Sequence, residues 1–315
     1  FRKGKPDDYI SKSTKISYIK LDISKHKTIM DEINDFMCKL FPEPDLRDYM
    51  WQHMASSLIG ENNDQTFNIY NGNGSNGKSK LVELMSACLG DYKATVPITL
   101  ITAKRNSIGS TSSEVVQLKG VRYAVMQEPS KGDRLNEGIM KEITGGDPLQ
   151  GRALFKDSIT FIPQFKLVVC TNTLLDVNSN DEGTWRRLCV CEFKSKFCAK
   201  EEFDDEREYQ FEIDKKLGDK YIQWCPIFIS MLVEKAYTTG GLVKICDAVK
   251  ASSSSYRNTQ DYYSEFVSDK VKKTAGGKIK ETSLYEVFKI WFQLHHGKNV
   301  PKGRDLFEFM NKKFG

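Results

Sequence analysis

The sequence predicts an α/β fold with a largely parallel central sheet, preceded by a small helical region and followed by a basic helical segment. Three observations carry this expectation. Short, continuous apolar runs at 66–71, 121–126, 167–170 and 188–190 alternate with helical spacing, the pattern of strands buried on both faces. A glycine-rich turn, Gly72-Asn-Gly-Ser-Asn-Gly-Lys-Ser79, joins the first run to an amphipathic helix. Helical periodicity dominates residues 27–60 and returns after residue 260.

Taken in order, residues 1–25 read as a Lys-rich extension. Ile29, Met30, Ile33, Phe36, Met37 and Leu40 then form one helix face, which Phe41-Pro-Glu-Pro44 ends. Asp45 is the expected cap of a second helix running to about Ile59 and stopping at Gly60. Residues 66–71 are the first strand, and Lys78 to about Leu89 is a helix with Leu81, Leu84, Met85 and Cys88 on one face. A strand at 121–126, a short helix at 135–143, short strands at 158–162 and 167–170 and a further run at 188–190 follow. Residues 200–220 are densely charged and read as a solvated helix or loop, 221–237 as an apolar helix despite Pro226, and Ala251–Ser255 as a linker. Helical patterns at 262–271, at 283–295 and from about Gly303 close the chain. The expected domains are 1–60, 61–250 and 251–315.

Composition excludes several classes. Of 315 residues, 39% are apolar and 28% charged, which is a globular mixture and not a disordered one. No run of eighteen apolar residues is present, so no transmembrane helix is expected, and no basic-then-apolar leader opens the chain. Phe1 in place of Met leads to the expectation of a segment of a longer protein or a processed one. Residues 251–315 hold twelve Lys/Arg against seven Asp/Glu, so the whole net charge of +5 lies there and residues 1–250 balance. That points either to an acidic partner at the C-terminal segment or to a solvated basic tail. Among eight cysteines only Cys189 and Cys191 are closely spaced, on one face of a strand, with no histidine at zinc-finger spacing. Buried free thiols in a reducing compartment fit better than zinc.

Residues 72–79 match G-x-x-x-x-G-K-[ST], with the strand before and the helix after that the mechanism needs. The glycines let successive N–H groups curl round a phosphate, and the helix N-terminus adds partial positive charge. Gly72, Asn73, Gly74, Ser75, Asn76, Gly77, Lys78 and Ser79 are therefore the expected nucleotide-binding residues, with Lys78 reaching the β/γ-phosphates of ATP and Ser79 binding Mg²⁺. Such a loop needs a carboxylate at a neighbouring strand tip. Glu128, after the 121–126 run, is the candidate for both metal and catalytic work. Asn172, at the tip of the next apolar strand, has the chemistry to bond a γ-phosphate or the attacking water.

These elements in this order resemble the superfamily 3 helicases, and especially the primase-helicases of large DNA viruses with their phage and plasmid relatives. The likeness rests on Gly72–Ser79, Val121–Pro129, Lys141-Glu-Ile-Thr-Gly-Gly-Asp147, Phe165–Asn172 and Thr184-Trp-Arg-Arg-Leu188. Gln127 departs from members that carry two adjacent acids. The resemblance implies an AAA+-type core, a homohexamer ring, ATP hydrolysis and translocation along single-stranded DNA during viral replication. It also implies an upstream primase and other replication proteins as partners, at a replication site in the host cytoplasm. It makes Arg186 or Arg187 the arginine finger, residues 152–163 a DNA-binding hairpin with Arg152, Phe155 and Lys156 facing the pore, 27–60 part of a collar, and 262–315 the start of a helix-turn-helix or winged-helix domain. Two other readings remain at this point: a monomeric P-loop nucleotide kinase or small-molecule ATPase, and a DNA-binding scaffold that ATP only stabilises.

Overall fold

The computed structural model describes residues 5–104, 111–130, 132–177, 181–274, 276–297 and 300–314. The chain divides into two compact units, Phe1–Tyr256 and Arg257–Gly315. In order, the first unit carries α1 (Ile23–Leu40), α2 (Pro44–Ser56), β1 (Phe67–Asn71), α3 (Lys78–Leu89), β2 (Lys93–Thr95), α4 (Thr99–Thr102), α5 (Ser113–Val116) and β3 (Tyr123–Gln127). It continues with α6 (Glu137–Thr144), β4 (Leu149–Arg152), β5 (Ser158–Phe161), β6 (Lys166–Thr171), α7 (Glu182–Trp185), β7 (Leu188–Glu192), β8 (Lys196–Cys198), β9 (Gln210–Glu212) and α8 (Leu217–Thr239). Helix α9 (Asp247–Gln260) crosses the boundary, and α10 (Tyr262–Lys270), α11 (Glu281–His295) and α12 (Gly303–Phe314) belong to the second unit.

The central sheet is parallel, in the order β2-β3-β6-β1-β7. Its inner strands read as unbroken apolar runs because each feeds two cores. Tyr70, Tyr123, Val125, Val168, Cys189 and Cys191 pack on one side with α1, α2, α3 and α8. Ile69, Ala124, Met126, Leu167, Val169 and Val190 pack on the other with α6 and the β4–β5 hairpin. Period-two alternation along each strand delivers both sets. Burial on two faces is the arrangement that parallel sheets require. The helices start where polar caps allow: Asp22, Asn136 and Asp181 accept the N–H of Ser24, Ile139 and Thr184 at 3.0, 3.2 and 3.0 Å. No helix among the described residues is long and apolar enough to cross a membrane.

Three readings of the sequence need correction. Asp45 is not the cap of α2; Glu43 holds that place, because Pro44 with its fixed φ takes the first helical position. Residues 27–60 are helical, as α1 and α2, and pack on the rest of the unit: Ile33, Met37, Met50 and Met54 share one hydrophobic cluster with Leu84 and Phe228. Residues 200–220 are not only a solvated helix or loop. They include β9, which pairs with β8, and the start of α8. Ala251–Ser255 is no linker but the middle of α9, where Ser253 Oγ accepts from Val190 N at 3.0 Å and Tyr256, one residue beyond, is buried. The second unit has its own aromatic core of Tyr262, Tyr263, Phe266, Phe288, Trp291 and Phe292, and among its described residues the named elements are helices.

Candidate active site

At the carboxyl end of β1 the chain turns through Gly72, Gly74, Ser75 and Gly77, all at positive φ, and enters α3. Two of these glycines are required by close approach. A Cβ on Gly72 would lie 2.7 Å from the Phe193 carbonyl, and one on Gly77 would lie 2.2 Å from Leu40 Cδ2. Phe197 of β8 donates its N–H to the Ser75 carbonyl at 2.7 Å, fixing the loop from the far side. The N-cap Gly77 has no side chain to cap α3, Asn76 Oδ1 takes only the Lys78 N–H at 3.4 Å, and no acid sits in the first turn, so the helix terminus favours an anion. The buried Asn76 Nδ2 has no partner. This cradle fits a phosphate group.

Lys78, 7% exposed, sends its ammonium back across the loop to the Gly72 carbonyl and to Asn172 Oδ1 at 2.9 Å. Asn172 Nδ2 donates to Glu128 Oε1 at 3.0 Å. Strands β6 and β3 are neighbours, so their tips bring Asn172 and Glu128 together. Burial holds the Lys78 ammonium below the ordinary lysine value, opposed by Cys170, Glu128 and Glu192. Ser79 lines a cleft of about 450 Å³ with Lys78, Glu128 and Asn172. With Glu128, its hydroxyl is the hard-oxygen chemistry that Mg²⁺ takes. The loop residues, Lys78, Ser79, Glu128 and Asn172 are thus gathered at one place.

Some residues of this site escaped the sequence reading. The opposite wall of the cleft comes from α1 (Glu32, Phe36), Phe197, and Leu217 and Trp224 of α8. A second cavity of about 390 Å³ touches Lys78, Ser79 and Glu128 and adds Lys93 of β2 and Cys170. Glu192 at the tip of β7 supplies a further carboxylate, but Asn71 Nδ2 holds both its oxygens at 3.1 Å. Three strand spacings, about 14 Å, separate β7 from β3, so Glu192 does not replace the acid missing at Gln127.

Arg186 and Arg187 lie elsewhere. Both donate to Gln65 Oε1, at 2.6 and 2.8 Å, before the start of β1. The whole of β1, five extended residues or about 17 Å, lies between that point and Gly72. Neither arginine therefore reaches the phosphate loop of its own chain. They differ from each other: Arg187 is 8% exposed, tied also to the Gly183 carbonyl at 2.5 Å, and its Nε is buried without a partner. Arg186 is exposed.

The predicted hairpin is present as β4 and β5, paired from Leu149↔Phe161 to Arg152↔Ser158. At its tip Phe155 is 94% exposed with φ +58, beside exposed Leu154 and Lys156. Arg152 is exposed, but its Nε donates to the Lys156 carbonyl at 3.1 Å and so closes the tip.

Residues 70–187 match a family described as "Family of unknown function (DUF5906)". A provisionally named helicase of Acanthamoeba polyphaga mimivirus is 34% identical over 324 residues, covering 99% of this chain and 33% of that protein. One of Invertebrate iridescent virus 6 is 29% identical, covering 98% and 34%. A provisionally named primase of African swine fever virus (isolate Pig/Kenya/KEN-50/1950) is 27% identical, covering 78% and 26%. The chain spans about a third of the length of the first two relatives and about a quarter of the third. The solved apo structure of the NrS-1 C terminal region shares the fold, with a TM-score of 0.51 at 12% identity, covering 95% of this chain and 64% of that one. Over most of its length, then, this chain is a homologue of provisionally named helicases and primases of large DNA viruses.

Proposed function

We propose that the chain is the motor of an ATP-dependent DNA helicase or translocase of viral DNA replication, working as a homohexamer ring with ATP hydrolysed at subunit interfaces. The observation that carries this reading is the division of charged groups between the two ends of one sheet. Lys78, Ser79, Glu128 and Asn172 meet at the carboxyl ends, while Arg186 stands at the amino ends, the length of β1 or about 17 Å away. A single chain cannot bring both sets to one nucleotide; adjacent copies in a ring can.

In this reading the loop N–H groups and the α3 terminus hold the phosphates. Lys78 exchanges the Gly72 carbonyl and Asn172 for phosphate oxygens. That exchange frees Asn172 Oδ1 to accept a hydrogen bond from water, while Asn172 Nδ2 stays on Glu128, the acid that accepts the water's proton. Ser79 and Glu128 are the residues that would hold Mg²⁺, which would supply charge neutralisation at the phosphates. Arg186 of the adjacent copy stabilises charge developing on the γ-phosphate, which makes turnover depend on assembly. The hairpin offers Phe155 for base stacking and Lys156 for DNA phosphates, contacts that hold any sequence. The collar role for residues 27–60 and the nucleic-acid role for the basic C-terminal unit belong to the same proposal. Electron microscopy with single-stranded DNA and a non-hydrolysable ATP analogue tests it. A six-membered ring with DNA in the pore is expected, and monomers that hydrolyse ATP at full rate would overturn it.

A further inference from the structure

The segment just before β1 carries a feature that nucleotide binding does not use. Gln65 sits at φ +53, a left-handed conformation that side chains other than glycine rarely adopt. Its amide is engaged on both sides. Oε1 accepts from Arg186 and Arg187, and Nε2 donates to the Gly145 carbonyl at 2.9 Å. Three partners of fixed polarity leave one orientation for the amide, because only the oxygen can face guanidinium groups. One residue earlier, Asp64 pairs with Lys166 at 2.6 Å, and three residues earlier Asn62 Nδ2 donates to the Thr144 carbonyl at 3.1 Å. The segment 62–65 is thereby fastened to the C-terminus of α6 and to β6, so Gln65 stays in place if an arginine leaves it.

The two arginines are held unequally. Arg187 keeps the Gly183 carbonyl and is buried, whereas Arg186 is exposed and donates to Gln65 Oε1. A neutral amide oxygen is a weaker acceptor for guanidinium than a carboxylate or a phosphate. It therefore retains Arg186 when no anion is near and yields it when a phosphate arrives. A carboxylate at this position would keep it.

We propose that Gln65 is a positioning residue: a neutral latch that parks Arg186 on its own subunit and releases it to the nucleotide of the adjacent one. The proposal rests on the reading that Arg186 acts in trans, and its test separates the two. Lys78→Ala chains, which can lend Arg186 but not hydrolyse, are mixed with Arg186→Ala chains, which can hydrolyse but not lend. Turnover in this mixture establishes the trans action. Silence overturns that action and the latch with it.

Gln65→Glu is then added to one partner at a time. On the lending chain it should lower kcat about tenfold with little change in KM, since a charged acceptor holds guanidinium roughly twice as strongly. On the hydrolysing chain it should leave turnover unchanged. Equal losses on both chains, or a loss on the hydrolysing chain alone, would show a merely structural residue and overturn the latch. No loss on either would also overturn it while the trans reading stands. Gln65→Met on the lending chain removes the acceptor and should not lower kcat; a fall matching that of Gln65→Glu refutes the latch. Thermal unfolding of each variant confirms that it is folded before mixing.

Discussion

Asn172→Asp changes almost nothing in shape and one thing in chemistry: a donor becomes an anion. The amide nitrogen now donates to Glu128 Oε1 at 3.0 Å, and the amide oxygen accepts from Lys78 Nζ at 2.9 Å. With a carboxylate in its place, the first contact sets two like charges about 3 Å apart. Their repulsion runs from about 1.4 kcal/mol in bulk water to about 5.5 kcal/mol at an effective dielectric of 20. Glu128 and Asn172 are both exposed, so the lower part of that range applies. The second contact becomes an ion pair of similar size and opposite sign, so folding stability should change by less than about 1 kcal/mol. Catalysis has no such compensation. The new charge holds Lys78 away from phosphate and repels the nucleotide, and Glu128 loses the donor that orients it. Removing one donor of this kind costs about 10²–10³ in kcat. The assay is steady-state phosphate release with and without single-stranded DNA, run beside thermal unfolding. A fall of about 100-fold or more is expected, with the unfolding midpoint moved by no more than about 2–4 °C. Turnover within about threefold of the unsubstituted chain would refute the assigned role of Asn172.

Lys78→Ala should abolish ATP hydrolysis, and normal turnover would remove residues 72–79 from the reaction. The buried Lys78 ammonium titrates below the ordinary value of 10.5. Between its lowered pKa and 10.5 the unfolded chain binds more protons than the folded one, so through this group stability rises with pH. Nucleotide affinity should fall over the same interval as the charge is lost. Calorimetric titration and thermal unfolding across alkaline pH should therefore move in opposite directions, and parallel changes would contradict the assignment. Lys156→Ala should weaken single-strand binding and reduce the slope of log affinity against log salt by about 0.7. Phe155→Ala should cost about 1–3 kcal/mol of the same binding with no loss of stability, because the ring is exposed.

Legibility in the sequence followed distance along the chain. Strands β1, β3, β6 and β7 could be read because burial on both faces makes them continuous apolar runs. Strands β2, β8 and β9 could not: each has three residues and is only partly buried, so no period develops. The loop 72–79 is local and was visible whole. Glu128 and Asn172 were visible because a polar residue after an apolar strand marks the strand tip. The wall supplied by Glu32 and Phe36 was not, since those residues meet the loop only after α1 folds over it. Serine composition misled at 251–255, where the helix is held by Ser253 on β7 and by the burial of Val249 and Tyr256. Gln65 was the least visible of all. Its partners are 80, 121 and 122 positions away, and no local pattern marks one amide that bridges them.

The position of Arg186 also bears on the two alternative readings. A monomeric kinase must complete its phosphate site with groups from one chain, yet Arg186 lies at the other end of the sheet from Lys78. A scaffold that merely binds ATP has no need of the Lys78–Asn172–Glu128 sequence of contacts, in which moving the lysine frees the amide oxygen of the residue that holds the acid. A shared interface uses both features. It places one chain's amino-end arginine against the next chain's carboxyl-end loop, a heterologous contact that repeats head to tail and closes into a ring when the rotation allows. Turnover that grows with protein concentration, and that is lost when Arg186→Ala chains are assayed alone, is the behaviour this geometry requires. Concentration-independent turnover by the Arg186→Ala chain would return the site to a single subunit.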